Sequence, residues 1–152
     1  MASIPIPTRY HHAVIAHIMV DDAVAAINFY QKAFGAQKGL DITTPDGNVI
    51  HAEIVIGQSL IMIGNVSAPF SSPRTLGASS VGLHVYVNNV DSITERAKQY
   101  GADELQSPQD MFYGARQSIV RDPYGHVWVF LTHTEDLSIQ EIEQRARKLF
   151  EQ

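Results

Sequence analysis

Seven side chains have the types that recognise or transform a small molecule: His17, His51, Glu53, His84, Tyr86, Arg116 and Ser118. An imidazole titrates near neutrality, so either His17 or His84 is a candidate general base or orienting donor. Arg116 is a candidate fork for a carboxylate or phosphate. Two imidazoles and a carboxylate, here His17, His84 and Glu53, also have the donor chemistry for zinc or iron. Structural roles compete with each reading. A single histidine on a sheet is often a hydrogen-bonded wall residue, and Glu53 and Arg116 are expected to pair across the sheet if neither meets a ligand. The doublet His11-His12 lies in a polar arm, and His126 and His133 fall at turn and strand ends, where water satisfies them.

The elements that must position these groups come twice. His17-Ile18-Met19-Val20-Asp21-Asp22 returns 67 residues later as His84-Val85-Tyr86-Val87-Asn88-Asn89, and self-similarity at long period marks a duplicated supersecondary unit. The first copy reads as a strand over 13–20. A helix follows, capped by Asp21 or Asp22 and ended by Gly35. The turn Thr44-Pro45-Asp46-Gly47-Asn48 leads to strands at 49–56 and 59–64, joined in a hairpin at Gly57-Gln58. The second copy reads as a strand over 82–88 and a helix from Asp91 or Ser92 with Glu95 at capping-box spacing. It ends at Gly101, before strands near 104–107, 115–121 and 126–132. Asp122-Pro123-Tyr124-Gly125 is a turn. The segment 65–80, rich in Ser, Pro and Gly, is a long loop of the kind that serves as a lid or connector. A last helix over 138–150, with Ser138 and Glu141 as a capping box, carries the apolar stripe Ile139, Ile142, Ala146 and Leu149 for docking.

These elements predict an α+β fold: two tandem βαβββ modules at about 13–64 and 81–134, with a C-terminal helix, in one domain of 1–152. Strand alternation sets the faces. With Ala52, Ile54, Ile56, Leu83, Val85 and Val87 against the helices, all seven candidates face away. They stand over an apolar floor of Ile15, Met19, Ile61, Ile63, Val127, Val129 and Leu131. Trp128 and Phe130 fall on the core side.

Bulk properties narrow the partners. Apolar residues make up 45% and charged residues 18%, which is ordinary for a globular chain. A net charge of -5 argues against a surface that tracks nucleic-acid phosphates. No apolar run nears the roughly 20 residues that cross a bilayer. Without cysteine there is no thiolate nucleophile or thiolate metal site. The opening Met-Ala-Ser-Ile-Pro-Ile-Pro has neither basic start nor secretory core, and the expectation is a cytoplasmic protein.

Five segments carry a family likeness: Met19-Val20-Asp21-Asp22-Ala23, Ile27 through Ala36, His51-Ala52-Glu53-Ile54, Asp122 through Trp128, and Thr132 through Leu137. On them the chain resembles the vicinal oxygen chelate superfamily of glyoxalases, bleomycin-resistance proteins and extradiol dioxygenases, and within it the PhnB-like glyoxalase-related branch. The resemblance implies paired modules curling into a U-shaped cleft, a homodimer, and, in metal-dependent members, four ligands on the first and last strands of each module. Those positions carry over to Ile15, Ile61, Gly82 and Val129, none of which can coordinate a cation. The expectation is therefore a protein that binds a small organic ligand without a metal, as resistance-type relatives do. The alternative is a glyoxalase-type lyase or isomerase using a divalent ion (zinc, nickel, manganese or iron) at His17, His84 and Glu53. Extradiol dioxygenase chemistry would need a two-histidine, one-carboxylate iron site.

Overall fold

The apolar alternation resolves into two four-stranded sheets, one for each copy of the repeat. The computed structural model describes residues 4–11 and 14–151, and the chain divides into two units, Met1–Ala78 and Ser79–Gln152.

In unit one the strands are β1 (His17–Val20), β2 (Gln37–Thr43), β3 (Val49–Ile56) and β4 (Ser59–Asn65), ordered β1-β4-β3-β2. β1 and β4 run parallel and the other pairs antiparallel. Helix α1 (Ala23–Phe34) starts where the Asp22 side chain accepts from Ala25 N at 2.9 Å and stops at Gly35, whose φ is 69°. Its Ala26, Tyr30 and Ala33 are fully buried, as are Val20, Ala52, Ile54 and Ile63 of the sheet. This is the core of the unit, and burying such side chains stabilises it by about 1.5–3 kcal/mol for each large aliphatic.

Two features of unit one depart from the sequence reading. β1 begins at His17, later than the expected start at 13. β2, unmarked in the sequence, is exposed along its whole length, so nothing in it alternates. It is an edge strand held by backbone pairing, with an irregularity between Lys38 and Asp41. The 65–80 segment is also more ordered than a plain loop. Fully buried Ser72 donates to Asp21 Oδ1 at 2.6 Å and caps a single turn, α2 (Pro73–Leu76), pinning it near the end of β1.

Unit two repeats the order with β5 (Gly82–Tyr86), α3 (Val90–Gln99), β6 (Asp103–Met111), β7 (Ala115–Arg121) and β8 (Val127–His133), arranged β5-β8-β7-β6, then α4 (Ile139–Phe150). The cap of α3 is Asn89, which accepts from Ser92 N at 2.9 Å. The expected Asp91 and Ser92 lie inside the first turn, because Asn89 already satisfies that donor. Asp122 braces the closing turn. Its Oδ1 accepts from the backbone N–H of Tyr124 and His126 at 2.9 and 3.0 Å, and its Oδ2 from the Trp128 indole at 2.8 Å. Trp128 and Phe130 are fully buried and stacked, as expected of core. His126 is buried as well, contrary to the solvent-facing expectation, because the turn folds back under Asp122. His133 meets Asp136 at 2.6 Å. The turn between β6 and β7 requires glycine: Gly114 has φ of 80°, and a Cβ there would sit 2.5 Å from Glu135 O.

α4 has its capping box and a two-bond fork from Arg145 to Glu135 at 2.6 and 2.7 Å. None of its residues is buried, and Ile139 and Leu149 are exposed, so the expected docking of its stripe is not made within the unit. No described helix is long and apolar enough to cross a membrane. The fold is α+β, two βαβββ units with a C-terminal helix.

Candidate functional site

Each sheet has one face under its helix and an opposite, open face. In unit one the register places His17 of β1, Met62 of β4 and Glu53 of β3 in one row of that open face. His51 lies two residues before Glu53, on the same side. Gly64 makes room here, since a Cβ on it would stand 3.6 Å from His17 Nε2 and 3.0 Å from Ile50 O.

Glu53 is the unusual member. Only 2% of it is exposed, and a buried carboxylate is stable only when it is paired and hydrogen-bonded. It accepts from the Tyr10 hydroxyl and from Arg9 Nε at 3.3 Å, and His51 Nε2 stands 3.7 Å away. Arg9 and Tyr10 come from a short 3-10 turn, Thr8–Tyr10, in the polar arm before β1. The Arg9 guanidinium also lies over the Tyr10 ring, 4.3 Å from its centre. Sequence reasoning missed both residues, because three residues without periodicity carry no signal of where they dock. His12 lies outside the described residues.

The His17 ring meets His51 edge-on at 5.6 Å and Phe70 at 6.2 Å. Although His17 is exposed as a residue, its ring loses hydration among these neighbours. That loss, and then the charge of His51, holds its pKa below the ordinary value of 6.5. The arrangement is a buried carboxylate that already accepts from a phenol and a guanidinium, beside an imidazole pair and an aromatic ring.

The open face of unit two has a different character. His84 pairs with Val129, which pairs with Ile119, and Tyr86 pairs with Leu131, which pairs with Gln117. Ala115, Val129 and Leu131 are buried as an apolar cluster, with Tyr113 and Ile119 packed on it. Tyr113 donates to Gln117, and burial, with Tyr86 nearby, pushes its hydroxyl pKa up. His84 and Tyr86 are exposed above this floor. Gln117 is the polar group that the sequence reading missed here.

Arg116 and Ser118 do not belong with these groups. Arg116 forks onto Asp91 of α3 with two bonds of 2.8 Å and reaches Asp110 at 3.2 Å. Those carboxylates hold its pKa above the usual range and leave no free fork for an anion. It does not pair with Glu53. Ser118 is fully buried and lies 2.6 Å from Thr94 Oγ1, also on α3. Arg116 and Ser118 are expected on the open face, but the register gives the places that match His51 and Glu53 to Gln117 and Ile119. A slip of one residue turned the strand over.

The same slip affects β4. Ile61 and Ile63 pair with Ile54 and Ala52 on the helix face, so they leave the expected floor. Met62 faces His17 as Val129 faces His84. Counting from the hairpin glycine fails because Ser59 opens β4 opposite buried Ile56, whereas Val127 opens β8 opposite exposed Arg121. The superfamily's metal positions thus hold Ile15, Met62, Gly82 and Val129. These offer no imidazole or carboxylate, and among the described residues no group of three His, Asp or Glu side chains is disposed to hold a metal. Of the alternative set, Glu53 is occupied by Tyr10 and Arg9. The residues present do not fit the family's metal centre.

Known proteins share this architecture. An uncharacterized protein of Mycobacterium tuberculosis is 33% identical over 136 residues, 86% of this chain and 80% of its own. TioX from Micromonospora sp. ML1 superposes with a TM-score of 0.65 at 26% identity, covering 84% of this chain and all of that one (100%). A putative 3-demethylubiquinone-9 3-methyltransferase, the PhnB protein of Bacillus cereus, shares the fold at a TM-score of 0.61 and 18% identity, over 80% of this chain and 99% of its own. Residues 9–130, nearly all of both repeats, match one family throughout, and the chain is a member of the Glyoxalase/Bleomycin resistance protein/Dioxygenase superfamily.

Proposed function

We propose that this protein binds a small organic molecule without a metal, in the sequestering manner of resistance-type members, and that the ligand lies on the open face of the unit-one sheet. The observation that carries the reading is Glu53: a carboxylate 2% exposed, set beside an imidazole pair, with its other contacts supplied by a mere three-residue turn. A mostly apolar surface with a few converging polar groups is the ordinary form of a small-molecule site. His17, His51 and Glu53 form the site; His84 and Tyr86, over the apolar floor of unit two, are its counterpart. The chemistry of the four metal positions supports binding over Lewis-acid catalysis. The reading includes a homodimer and the PhnB-like branch, for which the Bacillus cereus protein supplies likeness of fold alone.

Metal content tests the reading. Tag-free protein, purified without chelator and challenged with zinc, nickel, manganese and iron, should retain none in stoichiometric amount by plasma mass spectrometry. Near-stoichiometric metal, lost in a His17→Ala/His84→Ala variant, would overturn it in favour of a glyoxalase-type lyase. Light scattering that gives the mass of one chain at working concentration would remove the dimer.

A further inference from the structure

The contacts of Glu53 say what kind of ligand the site takes, given the reading above. A carboxylate this buried accepts hydrogen bonds and repels acceptors, and the one guanidinium fork expected to hold an anion, Arg116, is saturated on the other face of its own sheet. The group that fills the acceptor position is a phenol: the Tyr10 hydroxyl donates to Glu53 Oε1, and its ring lies under the Arg9 guanidinium at 4.3 Å. Arg9 holds both partners at once, donating to the Tyr10 oxygen at 3.0 Å and to Glu53 Oε2 at 3.3 Å. Two further rings, His51 and His17, line the same face, with Phe70 beyond His17. Nothing regular fixes this phenol: the 3-10 turn that carries it has no buried residue and no side-chain cap.

We infer that Tyr10 is an internal stand-in for the ligand, and that the site recognises a hydroxylated aromatic ring which displaces the arm, donating its hydrogen bond to Glu53 while its ring packs against His51 and His17. A charged acceptor strengthens such a bond relative to a neutral one, so the hydroxyl carries the discrimination and the ring carries the contact area. The tethered tyrosine competes with any such ligand and lowers its apparent affinity by the fraction of time the arm is docked.

The test uses p-cresol, the tyrosine side chain as a free molecule, followed by saturation-transfer NMR and by the shifts of the His17 and His51 ring protons in the full chain. In Tyr10→Ala, p-cresol should bind saturably and move both imidazoles. The wild-type chain should bind it about tenfold or more weakly, as competition from a tethered group requires. Toluene should fail to bind Tyr10→Ala, and Glu53→Gln in that background should abolish the p-cresol response. Toluene binding as well as p-cresol would overturn the inference, even if Glu53→Gln did not fold. So would equal p-cresol binding by wild type and Tyr10→Ala, indifference to Glu53→Gln, or no binding at all. Any of these would leave metal-independent binding standing, since that reading fails on metal content and not on p-cresol.

Discussion

Matching rows of the two sheets hold opposite chemistry. In unit one the row runs His17, Met62, Glu53; in unit two it runs His84, Val129, Ile119. Both copies keep a histidine on the first strand, and both keep an aliphatic or aromatic layer under the helix. Only in unit one does this row hold a carboxylate. The helix side is constrained by close packing, where a change of one methylene is felt. The open side is free to diverge, provided that any charge buried there finds partners. Unit one meets that condition with Arg9, Tyr10 and His51, whereas unit two avoids it with isoleucine.

Exchanging these residues should separate the units most sharply. Ile119→Glu would put a carboxylate against Ala115, Val129 and Leu131, and it is expected to cost about 2–3 kcal/mol in urea unfolding. The reverse exchange, Glu53→Ile, should cost under about 1.5 kcal/mol, because an apolar residue in place of a buried paired charge is often near neutral. A cost for Glu53→Ile equal to that of Ile119→Glu would mean that the contacts of Glu53 stabilise unit one well beyond what an apolar residue there supplies. Next comes Gly64→Ala, whose place in the row beside Met19 is held by Leu131 beside Tyr86 in unit two. The new methyl would press on Ile50 O and crowd the His17 imidazole, with an expected cost of about 1–2 kcal/mol and a shift of the His17 ring resonances. Unchanged resonances would show that the ring does not use that space.

The smallest effect is one of pH. The fold lowers the pKa of His17, so the unfolded chain binds the proton more tightly. Stability should therefore be complete above the ordinary 6.5 and decline as the pH falls from there through the folded-state value. His17→Gln should flatten that part of the urea-midpoint profile, and an unaltered profile would assign the slope to another group.

Much of this architecture is legible in the sequence. The repeat, the caps at Asp22 and Ser138 and the Gly57-Gln58 hairpin are local signals, written within a few residues. The positions of Trp128 and Phe130 follow from alternation. What escapes is whatever depends on pairing at a distance. β2 has no apolar side because it is an exposed edge, so only its partner strand defines it. Arg116 and Ser118 read as site residues because alternation gives two faces without saying which is which, and only the register with β8 decides. Arg9 and Tyr10 reach Glu53 across more than 40 residues of sequence, and no local pattern announces such a contact.

Trp128 has a further consequence, in optics. It is the chain's one tryptophan, sealed in unit two with its indole N–H on Asp122 and its ring stacked on Phe130. A tryptophan so enclosed emits toward the blue and moves to the red when water reaches it. The emission colour of this protein therefore reports the opening of unit two. Unit one, with Glu53 and the Tyr10 that covers it, holds no tryptophan, so its own opening adds no indole signal. If the units unfold at different temperatures, tryptophan emission follows unit two alone, while the far-ultraviolet circular dichroism, which both sheets supply, records two steps.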